Sequence, residues 1–145
     1  MKWAPQFTEE MINIVKNGKT VLNGVIDIMS YELAATFAKK KSIVNKKYKI
    51  VIVDESHYLK NYKAKRTQEI APVVRDTPRA ILLSGTPALS RPSELFPQLN
   101  AINCKLFPNF FSFAERYCDG HPGDYGYKAD GLFILFSLFY FDYFL

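Results

Sequence analysis

Cysteine, glycine and tryptophan are scarce in this 145-residue chain, which has two, seven and one of them. Cys104 and Cys118 stand without CxxC spacing and without a nearby histidine pair, which argues against a zinc site. The opening "MKWAPQFTEEM" lacks the apolar core of a secretory leader. Two thiols and no leader make a reduced intracellular compartment the expectation. No apolar run reaches the roughly 20 residues of a membrane-spanning helix. The longest candidate, "GLFILFSLFYFDYFL" (131–145), is shorter, carries only Asp142 as a charge and has no basic anchors, so no membrane partner is expected. That tail shows neither strand alternation nor a helical stripe. The expectation is a domain over residues 1–130, followed by an atypical apolar tail, 131–145, that is not native coding sequence.

What is present is the composition of one globular domain, 48% hydrophobic and 23% charged, with no bias towards disorder. A formal charge of +5 and an isoelectric point near 9.1 suit an anionic partner without naming one. "FTEEMINIVKNG" predicts a short helix, capped by Thr8, with Phe7, Met11, Ile14 and Val15 on one face and Gly18 as its stop. "VIDIMS" (25–30) predicts a strand and "YELAATFAKKK" a helix with a basic end. The branched run Ile50, Val51, Ile52, Val53 predicts a strand buried on both faces, as in a parallel sheet. "NYKAKRTQEIAPVV" predicts a loop and a helix that Pro72 bends or ends, and "RAILLSG" (79–85) a second buried strand. "RPSELFPQLNAI" restarts a helix at Pro92 or Ser93, and the remainder, through "RYCDGHPGDYGYKADG", reads as loop. Strands alternating with helices give an α/β domain with a mainly parallel sheet, whose ligands sit at the carboxyl ends of strands.

Two motifs fall at such ends. Asp54 and Glu55 leave the first buried strand in different directions, so one carboxylate can face a hydrated magnesium ion and the other an attacking water. A pair this short, taken alone, is more often a turn cap beside a solvated acid. His57 alone is more often a hydrogen-bonded surface histidine than a ligand. Ser84, Gly85 and Thr86 follow the second buried strand, with two hydroxyls to offer a carboxylate or histidine and a glycine for close backbone approach. "NGKT" (17–20) imitates the end of a phosphate-binding loop. Its first glycine would fall at Asn13, and a helix is expected before it where a strand is required, so it is rejected.

In order and spacing, "VIVDESHYLKN", "RAILLSGTPALSRPSELFPQL" and "RYCD" resemble the Swi/Snf-type ATPases of helicase superfamily two. "SGTPALSRP" is similar in particular to the annealing-helicase branch, the HARP-like and zinc-finger Ran-binding-domain-containing fork remodellers. The resemblance covers roughly residues 1–130 and implies a partial RecA-like, P-loop NTPase parallel sheet lobe lacking its phosphate-loop strand. It implies ATP and magnesium as cofactors. Asp54 would hold the metal through water, Glu55 would polarise the attacking water, and His57 would link the nucleotide site to the next motif. Ser84, Gly85 and Thr86 match the motif coupling hydrolysis to movement on DNA, and Lys60 and Asn61 lie in an "LKN" near the DNA path of relatives. Branched, single- or double-stranded DNA is the implied partner and the nucleus the implied compartment. In relatives a phosphate-gripping lysine and a second RecA-like lobe complete the site. Here the former would precede residue 1 and the latter is missing. The expectation is therefore a piece of a DNA-dependent ATPase acting in fork remodelling and repair, inactive by itself and prone to aggregate. The alternative is a catalytically inactive fragment that at most binds DNA or a partner.

Overall fold

The computed structural model describes residues 6–86 and 91–131. Four residues of the "SGTPALSRP" run, 87–90, and the tail from 132 onward lie outside the described residues, so the expectation for the tail has no structural counterpart here.

The chain opens with one 3-10 turn, Glu9–Met11, and then a strand, β1 (Ile12–Ile14), where a helix was expected. Ile12 and Ile14 are β-branched, and pairing in parallel with β2 (Ile26–Ile28) outweighs the helical spacing of Met11, Ile14 and Val15. Gly18 accordingly sits in a turn and stops no helix. Helix α1 (Tyr31–Lys39) follows β2 as expected. Ser30 caps it by accepting a hydrogen bond from the Leu33 amide, and Lys39 lies at its negative end. A short α2 (Ser42–Lys46) leads to β3 (Ile50–Val53).

From β3 the chain crosses through α3 (Lys65–Asp76) to β4 (Arg79–Leu82), which pairs with β3 in parallel. Pro72 sits inside α3 and does not end it; it is exposed, on the side away from buried Val73 and Val74. After a 3-10 turn, Pro92–Leu95, comes α4 (Phe96–Ile102). The stretch read as loop holds a helix, α5 (Phe110–Tyr117), and a hairpin of β5 (His121–Gly123) and β6 (Gly126–Lys128). Asn109 caps α5 through the Ser112 amide, and Phe110, Phe113, Ala114 and Tyr117 pack one face. Gly126, with φ of 121°, makes the tight turn of the hairpin.

The result is a mixed α/β fold whose described strands form three two-stranded sheets, two of them parallel, rather than one continuous sheet. Between β2 and β3 runs a cleft of about 550 Å³, walled by Ile26, Ile28, Val51 and Val53 and floored by Ala34, Ile70 and Val73. The central core joins Val53, Leu59, Ile70, Val74 and Ala101; a second cluster gathers Val15, Phe37, Ile43 and Val73. Burial on both faces of β3 does not hold. Val53 is buried, but Ile52 is 61% exposed and Ile50, Ile81 and Leu83 are also open. The core contacts of β3 and β4 come from α1, α3 and α4, and among the described residues nothing buries the opposite face.

Candidate nucleotide site at the ends of two parallel strands

The register Val53 to Leu82 sets the ends of β3 and β4 side by side, and the backbone ladder runs on past both strands. The Leu83 amide donates to the Val53 carbonyl at 2.9 Å, and the Ser56 amide donates to the Leu83 carbonyl at 2.8 Å. Asp54 and Glu55 are therefore held beside Ser84, although about thirty residues separate them in sequence.

Between the two ladder bonds the chain reverses at Glu55, whose φ of 49° and ψ of 49° are left-handed. Asp54 Oδ1 accepts the Glu55 amide at 2.9 Å. The Tyr31 hydroxyl, at the start of α1, donates to the carbonyl oxygens of Asp54 at 2.7 Å and Glu55 at 3.1 Å. Burial and the Asp54 carboxylate push the Tyr31 phenol up to about 12, so it stays a donor throughout the neutral range. Glu55 Oε2 lies 3.2 Å from His57 Nδ1, and the same nitrogen lies 3.0 Å from Ser84 Oγ. A carboxylate on one side places the imidazole proton on Nδ1, shared with the serine oxygen. Ser84 Oγ also accepts the Thr86 amide at 3.2 Å.

Asp54, Glu55, His57, Ser84 and Thr86 thus form one connected set. Gly85 is adjacent, but no described atom would meet a side chain there, so close backbone approach does not explain the glycine. Lys60 and Asn61 each have a partner within the fold. The Lys60 ammonium is 3.5 Å from the Glu94 carboxylate, and Asn61 Oδ1 accepts the Lys63 amide at 3.0 Å. Two groups escaped the sequence: Tyr31, and Gln98, whose Oε1 accepts the buried Ser56 hydroxyl at 2.8 Å. A polar side chain at a core position of α4 was the one available signal for Gln98.

Asp54 and Glu55 each keep a carboxylate oxygen clear of the bonds above, a donor set that fits a magnesium ion carrying waters and phosphate oxygens. Among the described residues no group of three or more His, Cys, Asp or Glu could hold a metal by itself. The "NGKT" turn offers phosphate little. A strand does precede it, contrary to expectation, but no helix opens after it. Its Lys19 and Thr20 amides are taken by Asn17, at 2.9 Å and 3.1 Å.

The SNF2-related domain family matches residues 2–121. The chain belongs to the SNF2-related family. Its relatives include the SWI/SNF-related matrix-associated actin-dependent regulator of chromatin subfamily A-like protein 1 of Bos taurus, 39% identical over 131 residues, or 90% of this chain and 14% of the relative. The Caenorhabditis elegans homolog of that protein is 49% identical over 110 residues, 75% of this chain and 16% of its own. The DNA annealing helicase and endonuclease ZRANB3 of Homo sapiens is 39% identical over 130 residues, 86% of this chain and 12% of its own. These relatives place this SNF2-related chain in the annealing-helicase branch, and it spans between 12% and 16% of their length.

Proposed function

We propose that residues 1–130 are part of the first RecA-like lobe of a DNA-dependent ATPase that remodels or reanneals branched DNA in the nucleus. The observation that carries this is the junction of the two strand ends, where His57 Nδ1 meets both Glu55 at 3.2 Å and Ser84 at 3.0 Å. A carboxylate that orients water, tied through an imidazole to the loop that follows the neighbouring strand, suits coupling of hydrolysis to motion. Asp54 holds magnesium, mostly through water; bound there, the metal neutralises phosphate charge. Glu55 orients the attacking water, His57 fixes the Glu55 carboxylate, and Ser84, Gly85 and Thr86 form the coupling loop. Lys60 and Asn61 lie on the DNA side in this assignment, in keeping with a chain of net charge +5.

The closed "NGKT" turn favours a second reading, a module that binds DNA or a partner without hydrolysing ATP, because none of its bonded amides is free to cradle a triphosphate. One assay separates the two. Residues 1–130 replace the matching segment of the human ZRANB3 ATPase, and phosphate release by this chimera is measured with and without forked DNA, because part of one lobe is not expected to hydrolyse ATP by itself. Under the first reading DNA stimulates release and Glu55→Gln abolishes it. Release that is the same in both proteins sinks the first and leaves the binding module.

A further inference from the structure

A left-handed backbone is strained for a residue with a side chain, and persists only where its surroundings over-determine it. Glu55 is such a residue at φ 49°, and it stands between Asp54 and His57 in the acid box, residues 54–57. Its own side chain does not explain the conformation, since it points at His57 and bonds no backbone amide of the turn. Three outside groups do bear on the turn. The Tyr31 hydroxyl takes both carbonyls that flank the Glu55 amide and follow its Cα, those of Asp54 and Glu55. The Leu83 carbonyl takes the Ser56 amide. Gln98 takes the Ser56 hydroxyl, with Ser56 2% exposed and Gln98 4%. These groups come from α1, from the end of β4 and from α4, three elements separated widely in sequence.

We propose that Tyr31 and the buried Ser56/Gln98 pair are positioning residues that clamp Glu55 in its left-handed conformation and so aim its carboxylate at His57. The Tyr31 hydroxyl draws two successive carbonyls to one point, which an extended Glu55 would splay apart, and the bonds of Ser56 to Leu83 and Gln98 fix the left hand of the turn. The Ser56/Gln98 bond anchors the next residue in the core, so the chain cannot relax by sliding outward. Relaxation would carry the carboxylate off Nδ1 and uncouple it from Ser84. The role given to this aim rests on the proposed hydrolysis of ATP; the clamp itself is a property of the chain.

The test is a mutant cycle read by amide hydrogen exchange on the whole chain, with no nucleotide present. The probe is the Ser56 amide, compared with the Leu83 amide, which donates to the Val53 carbonyl, and with the amides of β3. Tyr31→Phe is expected to speed exchange at Ser56 about tenfold, the worth of one lost hydrogen bond, with the strand amides unchanged. In a Glu55→Gly background the same change is expected to speed exchange markedly less, because a left-handed glycine carries no steric strain for the clamp to offset. Equal acceleration in both backgrounds would make Tyr31 a general structural contact and overturn the proposal, as would no acceleration in either. Circular dichroism checks that each variant folds. Where Tyr31→Phe does not, Gln98→Met takes its place in the same cycle, with the same two outcomes. A Glu55→Gln variant of the ATPase chimera as active as its parent would end the hydrolytic reading and leave this cycle's result standing.

Discussion

Cys104 and Cys118 are the same side chain in two environments. Cys118 is fully buried against Phe96 and Phe113, and burial pushes its thiol up to about 11, while Cys104 is partly exposed. The thiolate is the reactive form, so a thiol reagent at pH 8 should modify Cys104 in the folded chain and reach Cys118 only in denaturant. Peptide mapping of the labelled protein checks this; native labelling of Cys118 would contradict its packing. Tyr31 gives a second measurement. Its phenol titrates near 10.0 in an open chain and at about 12 in the fold, so the folded state holds the proton more tightly. Stability from this group is whole below pH 10, erodes as the pH rises from there, and is gone past 12. Burial and hydrogen bonding to Asp27 raise the Tyr48 phenol as well, so the parent chain declines for several reasons. Tyr31→Phe should therefore lose stability less steeply than the parent over that window, as read from urea midpoints.

Among the elements, α3 carries two opposed effects. Leu59, fully buried, packs with Ile70 and Val74 of this helix, and the Leu59 carbonyl accepts the Thr67 hydroxyl at 3.3 Å. Leu59→Ala should cost about 2–5 kcal/mol, seen as an earlier denaturant midpoint, because the surrounding helices and strands cannot close the cavity fully. Pro72 works the other way. It has no amide to give the Gln68 carbonyl one turn back, and its exposed ring contributes little to the core. Pro72→Ala should raise stability by about 1–3 kcal/mol; an unchanged melting temperature would show that the helix has already absorbed the defect. Strands β3 and β4 and helix α1 were legible because each declares itself locally, through a branched run or through a cap and basic end. β1 was not. Its three residues become a strand only by pairing with β2, a contact fourteen positions away that no local window contains. Helix α5 was overlooked for a different reason. The Gly, Pro and Asp of the hairpin after it give the whole segment the composition of a loop.

At the largest scale, the described residues leave the parallel β3/β4 pair covered on one side only. Ile50, Ile52, Ile81 and Leu83 on or beside that pair are all about half exposed or more, apolar surface that favours self-association in water. Ile52→Lys should lower light scattering on concentration or warming and leave the unfolding free energy within about 0.5 kcal/mol, since the side chain is already in solvent. Scattering that starts at the same concentration in both proteins would place the sticky surface elsewhere. This bare face is also where expectation and structure part. An unbroken Ile-Val-Ile-Val run states that a strand belongs in a two-faced sheet, but it cannot supply the layer that would cover it. The candidate site shows a similar boundary. Asp54, Glu55, His57 and Ser84 could be read because each sits at the end of a recognisable strand. Tyr31 and Gln98 could not, because they reach the acid box from 23 and 42 positions away.

The ladder that outruns β3 and β4 has a mechanical meaning. Hydrogen bonds from Leu83 to Val53 and from Ser56 to Leu83 rivet the acid box to the stem of the next loop on both sides of the turn. The two strand ends are thus one stiff lever with its fulcrum in the β3/β4 pair. A pull on the chain beyond Ser84 reaches the carboxylates with almost no slack, and a force large enough to part them must first shear that ladder.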